Sequence, residues 1–232
     1  MSNKQSKYRL VNSQQTVKKT SSYACSLCLD RRTRLMYQNS KRAFYHCLVC
    51  DLIFVPQEDH LKPEDEKKIY NFHHNDPHDP KYRAFLNHVA HPLLSYLKPG
   101  MEGLDFGSGP GPTLNLMLEE AGFPMKIFDP YYDPDQKNLA QPYDFVTCTE
   151  VVEHFNTPSP SWKHLVSLVK PGGILALMTL FHDNTKDFKS WWYKNDLTHV
   201  AFYSQKTLRW LAAKFQMRLL YNDQIRAVLF KR

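Results

Sequence analysis

Leu104-Asp105-Phe106-Gly107-Ser108-Gly109-Pro110-Gly111-Pro112 joins a short apolar run to an acid and three glycines at alternate positions. The pattern reads as a buried strand that ends in a tight turn and passes straight into a helix. Glycine permits positive φ there and lets a ligand approach the backbone with no Cβ in the way. Pro112 suits a first helical turn, where its missing N–H costs nothing. The amides of such a turn are expected to favour a negatively charged ligand group. Two common cofactor loops are excluded. A dinucleotide fingerprint needs its third glycine where Pro112 stands, and a phosphate loop needs Gly-Lys-Ser/Thr, which is absent.

On either side of this turn strands and helices alternate. Strands are expected at 103–106, 125–128, 143–148 and 174–180, with helices at 113–121 (closed by Gly122), 161–169 and 205–215. Residues 217–221 and 225–230 read as a terminal hairpin. Upstream, Phe85, Val89, Leu93 and Leu97 fall at helical spacing over 81–97, with Pro92 expected to kink that helix. Strand, helix, strand in repetition predicts an α/β fold with a doubly wound, mostly parallel sheet.

With Asp105, Gly107, Gly109 and Gly111 in place, residues 81–232 resemble a class I S-adenosylmethionine-dependent methyltransferase, a Rossmann-like domain. Three later landmarks recur in order: Tyr143-Asp144-Phe145-Val146, Glu150-Val151-Val152-Glu153-His154 and Val169-Lys170-Pro171-Gly172-Gly173-Ile174. The resemblance implies that Asp105, Gly107, Ser108, Gly109 and Gly111 form the cofactor turn. It also implies that Asp129, closing the next strand, holds both ribose hydroxyls. One departure stands out. Only fourteen residues separate Asp129 from Asp144, where the family usually fits a helix, a strand and an acidic adenine-contacting loop. No adenine contact carries over. Tyr131 and Tyr132 are either its replacement, stacking on the base, or part of a surface loop.

Cys25-x2-Cys28 and Cys47-x2-Cys50 form two thiolate pairs a hairpin apart, the spacing of a closed tetrahedral zinc site. Residues 23–56 look like a zinc ribbon, since a segment so short needs a staple to fold. A redox dithiol or buried free thiols are the alternatives. Short β-like runs are expected at 43–46 and 52–55. Cys148 falls in a core strand and reads as packing.

Glu150, Glu153 and His154 are expected on the turn and helix after the third strand, where they would share one face at the carboxyl end of the sheet. That segment resembles the metal-binding stretch of small-RNA 2′-O-methyltransferases and of quinone-biosynthesis O-methyltransferases. His199 matches the further histidine of the RNA enzymes. A second metal site for Mg or Mn is one reading; packing and hydrogen bonding is the other. Either way His154, His199 and Glu150 are candidate proton acceptors.

Charge is concentrated at the front. Residues 1–50 carry ten Lys/Arg against the single acid Asp30, although the whole chain is only +7. Residues 1–22 are expected to be a disordered basic tail, solvated or holding an anionic partner such as RNA. Residues 57–80 read as a connector with a helix at 63–70, either a lid over the cofactor or a solvated linker. Trp191-Trp192-Tyr193 is either a substrate wall or the edge of the core. The longest apolar run, 174–181, cannot span a bilayer, and the opening residues hold no secretory signal pattern. A cytoplasmic chain in a reducing compartment, with no membrane partner, is therefore expected.

Methyl transfer to an oxygen of a small molecule is the function these features imply. RNA methylation or C-methylation are alternatives, and a nucleic-acid-binding ribbon on an idle methyltransferase fold is the alternative of another class.

Overall fold

The computed structural model describes residues 23–72, 75–184 and 187–232. The expected tail (1–22) and His73 and His74 of the expected lid lie outside the described residues. The chain opens with an antiparallel meander of β1 (Thr33–Gln38), β2 (Ala43–Cys47) and β3 (Ile53–Phe54), then helices α1 (Pro63–Tyr70) and α2 (Pro80–Leu94). The alternating region follows as β4 (Gly103–Phe106), α3 (Leu114–Glu120), β5 (Met125–Phe128), β6 (Tyr143–Thr149), α4 (Pro158–Ser167) and β7 (Val169–Met178). It closes with β8 (Ala201–Phe202), α5 (Gln205–Lys214), β9 (Arg218–Asn222) and β10 (Ala227–Lys231).

The larger sheet has the order β5-β4-β6-β7-β10-β9, parallel from β5 to β7 and antiparallel at β10 and β9. Helices cover both faces, so its central strands are buried and largely apolar, with Asp105 and Thr147 the buried polar exceptions. Period-two alternation sorts their side chains. Leu104, Val146, Leu175, Leu177 and Phe230 face α4 and α5 through Trp162, Leu165, Leu208 and Leu211. Phe145, Ile174, Ala176 and Leu229 face α2 and α3 through Leu86, Val89, Leu93 and Leu118. The short passage between β5 and β6 holds only a 3-10 turn (Gln136–Leu139), which leaves β5 at the sheet edge.

Three expectations need correction. The helix expected at 161–169 begins earlier, because Pro158 and Pro160 fit its opening turn, and it ends at Ser167. The strand expected from 174 starts at Val169. Its pairing with β6 shifts register between Tyr143 and Phe145, opposite Pro171-Gly172-Gly173, where Gly172 takes φ +80°. The helix expected over 81–97 begins at Pro80 and ends at Leu94, two residues past Pro92. The strands β1 and β8 were not foreseen. β1 is largely exposed and lacks alternation, and β8 has two residues.

The front segment is built into the rest. β8 pairs with β3 (Ile53 with Phe202, Phe54 with Ala201), completing a sheet of order β1-β2-β3-β8. Cys25, Cys47 and Cys50 are buried in the same core as Trp162, Tyr203 and Leu208. The expected division between residues 23–56 and 81–232 thus falls across a continuous sheet. Among the described residues no helix is long and apolar enough to cross a membrane.

Candidate functional site

The glycine turn after β4 is shaped from inside. Gly107 adopts φ +83°, and a Cβ there would come within 2.4 Å of a Val151 methyl. Gly109 adopts φ +70° with open space beside it. The turn's amides are already engaged: Gly107 and Ser108 donate to the Phe128 carbonyl (2.7 and 3.2 Å), and Gly109 donates to Asp129 Oδ2 (2.9 Å). What the turn presents is the Cα edge of Gly109, suited to a flat or neutral group, while the Ser108 hydroxyl is buried with no partner among the described residues.

Asp129, buried at the end of β5, also accepts from Tyr131 N (2.8 Å) and Tyr132 N (3.1 Å) through Oδ1. A carboxylate offers about four acceptor directions, so one on Oδ2 is left for a ligand hydroxyl. Asp105 lies deeper. Burial raises its carboxyl to about 6, against the Thr147 hydroxyl bond (2.6 Å) that lowers it, with the charge of Asp129 raising it further.

These residues line a cavity of about 690 Å³. Its cover comes from α1 and the segment after it. Glu66 accepts from Tyr70 (2.9 Å) and Tyr131 (3.0 Å), and Asn71 accepts from Tyr132 (2.8 Å). Asn75 donates to Tyr82 (3.0 Å), and its carbonyl sits where a Gly111 Cβ would be. Within residues 57–80, Glu66, Tyr70 and Asn75 line the cavity. Glu66 and Asn75 lie inside the segment read as lid or linker, but sequence reasoning gave no single residue there a role; for Glu66 a signal was its spacing of four from Tyr70 on a helix.

The opposite wall holds the acid and histidine cluster. Glu150 sits at φ +52° and is followed by a 3-10 turn (Val152–His154), so the shared helical face expected for Glu150, Glu153 and His154 does not exist. Glu153 turns into the core, where the Tyr193 hydroxyl donates to it; Tyr193 also lies 3.2 Å from Glu150 Oε2. Burial pushes Glu150 up to about 7, opposed by Arg226 and Tyr193, and raises Glu153 well above the carboxylate range, with the Glu150 charge adding to it. Oε1 of Glu150 and Oε2 of Glu153 are buried without a hydrogen-bond partner among the described residues.

His154 Nδ1 meets the Thr198 carbonyl at 3.1 Å and His199 Nδ1 meets the Tyr193 carbonyl at 2.9 Å. A carbonyl only accepts, so in the neutral ring each Nδ1 carries the proton and each Nε2 is the basic nitrogen; that of His199 faces Asp196 Oδ2 at 3.9 Å. The rings stand 4.7 Å apart. Ligand atoms of Glu153, His154 and His199 lie within 4.8 Å of one another, a set that leaves out Glu150. Trp191 and Tyr193 belong to the core edge with Phe44, Phe188 and Phe202, and Trp192 points outward, so the substrate-wall reading is not what the fold displays.

The four front cysteines converge. Their sulfurs lie within 4.8 Å of one another, with Cys25–Cys50 at 3.5 Å and Cys28–Cys47 at 3.4 Å. A tetrahedron with Zn–S bonds near 2.3 Å has edges of roughly 3.8 Å, so the set fits a closed tetrahedral ion after small adjustments. Cys148 is fully buried between β-sheet and helices, as packing requires.

A glycine turn at the carboxyl end of β4, an acid closing β5 and a roofed cleft together define the nucleoside-binding architecture of class I methyltransferases. Residues 77–222 match the family model described as a methyltransferase domain, and the chain belongs to that family. The solved 1,6-didemethyltoxoflavin-N1-methyltransferase of Burkholderia thailandensis, with S-adenosylhomocysteine bound, has a similar fold. It is 12% identical with TM-score 0.53, covering 86% of this chain and 99% of that one. The magnesium protoporphyrin IX methyltransferase of Synechocystis PCC 6803, with SAH bound, is 18% identical with TM-score 0.51 over 73% and 94% of the two chains. Among curated proteins, the ubiquinone biosynthesis O-methyltransferase of Proteus mirabilis is 33% identical over 89 residues, and that of Salmonella enteritidis 34%. The match covers 38% of this chain and 35% of each relative, so the chain aligns with about a third of their length.

Proposed function

We propose that this chain transfers a methyl group from S-adenosylmethionine to a hydroxyl oxygen of a small molecule. The observation that carries the reading is the pairing, across one cleft, of the Gly109/Asp129 edge with the basic nitrogens of His154 and His199. The cofactor fits the residues present. The orphaned Ser108 hydroxyl, the remaining acceptor direction of Asp129 and the open edge of Gly109 match a ribose and its nucleoside face. When bound, S-adenosylmethionine supplies an electrophilic methyl on a sulfonium. The protein's own part is to orient the acceptor in line with that methyl and to receive its proton. His154 and His199 are the groups placed to do so, with Glu150 beside them. An oxygen acceptor is supported by the curated O-methyltransferase relatives, and a small one by the roofed, bounded cleft.

The four cysteines would hold zinc as a structural ion, the saturated thiolate set leaving no open position. Glu153, His154 and His199 would suit a second divalent ion. Each imidazole is already oriented by a carbonyl on its other nitrogen, which is how ligating histidines are usually held. Two imidazoles with one carboxylate favour manganese or zinc over the magnesium also considered.

Incubation with S-adenosylmethionine carrying a 13C-methyl group, against small-molecule and RNA fractions of cell extract, tests the reading. A labelled product with a methoxy carbon shift in the small-molecule fraction is expected. Label in RNA, or a C-methyl shift, would replace this reading with one of its rivals.

A further inference from the structure

Arg42, in the hairpin between β1 and β2, is buried, and its partners are main-chain carbonyls. Nη1 donates to Leu197 O (3.1 Å) and His199 O (2.9 Å), and Nη2 donates to Lys194 O and Asp196 O. Desolvation draws the guanidinium down to about 10, against the opposing charges of Asp196 and Asp59. A buried cation is costly to keep, and this one sits far in sequence from the loop it binds. Its own placement is firm. The Asn39 side chain accepts from Arg42 N (2.9 Å), and the guanidinium lies 5.0 Å from the Phe44 ring centre.

The loop it grips has a second set of clients. Its carbonyls at Tyr193 and Thr198 receive the Nδ1 protons of His199 and His154. Carbonyls facing Arg42 and carbonyls facing the histidines interleave along residues 193–199. Holding one set fixes the other, because each peptide plane carries its neighbour. Beside Arg42, β3 anchors the far end of the loop through Val55 N to Val200 O (2.9 Å).

We infer that Arg42 is a positioning residue for the two cleft histidines, acting through the backbone of residues 193–199. The cysteine-bearing segment then does more than bind an ion. Through Arg42 it sets which nitrogen of each histidine is basic, and so builds the proton-accepting wall of the cleft. The role in catalysis rests on the proposed methyl transfer; the positioning itself does not.

The test is two-bond 1H–15N correlation on the full chain labelled with 15N-histidine, at a pH where imidazole is neutral. Wild type, Arg42→Lys, Arg42→Gln and Arg42→Ala are compared, with His154→Gln and His199→Gln for assignment. In wild type both cleft histidines should show the Nδ1–H pattern. In Arg42→Ala and Arg42→Gln both should move to an averaged, mostly Nε2–H pattern, with Arg42→Lys restoring part of it. His60 and His182, whose Nε2 atoms meet the Val55 and Asp51 carbonyls outside the loop, should not move. Affinity for S-adenosylmethionine should stay within about twofold of wild type, since Arg42 does not reach the glycine turn. Unchanged His154 and His199 signals in a folded Arg42→Ala chain would overturn the inference. Loss of fold in all three Arg42 variants, seen by circular dichroism, would also overturn it in favour of a purely structural role. Failure of wild type to bind S-adenosylmethionine would instead remove the proposed function and leave the histidine result standing.

Discussion

The carbonyl oxygen of Asn75 lies 2.2 Å from where a Cβ on Gly111 would stand, so the segment after α1 rests directly on the end of the glycine turn. Unlike Gly107 and Gly109, Gly111 does not adopt positive φ, and its lack of a side chain is needed for this close approach. Gly111→Ala must push Asn75 away and with it the Asn75–Tyr82 bond over the cavity. Calorimetric titration with S-adenosylhomocysteine should show affinity reduced about tenfold, which is about 1.4 kcal/mol, with the fold retained. Wild-type affinity in the variant would mean that the cover has no part in holding the nucleoside.

Asp129 anchors both the turn and the following loop by accepting three main-chain N–H groups. Charge-assisted bonds of this kind contribute about 1.5–3 kcal/mol each at most. Asp129→Ala should therefore lower stability by about 2–4 kcal/mol, less than the sum because the loop relaxes into water. Cofactor affinity should fall more than tenfold. Asp129→Asn keeps one acceptor oxygen, so it should be less destabilised in urea melts yet still bind weakly. Affinity equal to wild type in Asp129→Asn would place the ribose elsewhere.

The strands β4 and β5 were legible in the sequence to the residue because each is a short apolar run punctuated by glycine or acid. The glycine turn was legible for the same reason, since the positive φ at Gly107 is a demand that local sequence displays, whereas the Val151 methyl that also excludes a Cβ there comes from another strand end. The cluster opposite was only half legible. Glu150, Glu153, His154 and His199 could be named, but their arrangement depends on a left-handed residue at Glu150 and on Tyr193 arriving from another loop. Arg42 was invisible in this respect, for its partners are carbonyls more than 150 residues away, and carbonyls leave no mark in a sequence. β8 has too few residues to show periodicity, and it forms because β3 offers it an edge.

Asp105 makes stability fall as pH rises. Its carboxyl is raised by burial from 3.8 to about 6 in the folded chain. Between these values the unfolded chain has released the proton and the folded chain still holds it. The contribution is therefore fully present below about pH 4 and lost as pH rises through 6, by about 3 kcal/mol at 1.36 kcal/mol per pKa unit. Asp105→Asn should flatten that part of the urea-midpoint profile between pH 4 and 6, leaving the remaining slope to other groups. A profile identical to wild type would show that Asp105 ionises without hindrance.

Metal removal should be felt by the whole chain. Cys25, Cys47 and Cys50 share a core with Trp162 and Leu208, and Asp51 next to them accepts from Ser204 at the N-cap of α5 (2.6 Å). If zinc is bound there, strong chelation or Cys47→Ser should lower the unfolding midpoint of one cooperative transition, by well over 5 °C for a chain of this size. Calorimetry that instead resolved an early, small transition and an unchanged main one would mean that the front segment melts independently. Elemental analysis of the native protein should find about one zinc per chain.

The proton-accepting wall makes the sharpest kinetic prediction. If His199 Nε2 takes the acceptor proton, His199→Gln should reduce turnover by about 10²–10⁴, the usual range for a positioned general base. Binding of S-adenosylmethionine should change less than twofold, because the Gly109/Asp129 edge is untouched. His154→Gln separates two forms of this idea. Were one histidine the base and the other its neighbour, the two variants would differ widely, and the double variant would be no worse than the poorer single one. Were both ligands of one divalent ion with Glu153, the two histidine variants and Glu153→Gln would fall together, and added manganese would shift the wild-type rate but not theirs. Turnover unaffected by either histidine substitution would move the chemistry away from this wall, leaving Glu150, pushed up to about 7 by its burial, as the group to test next.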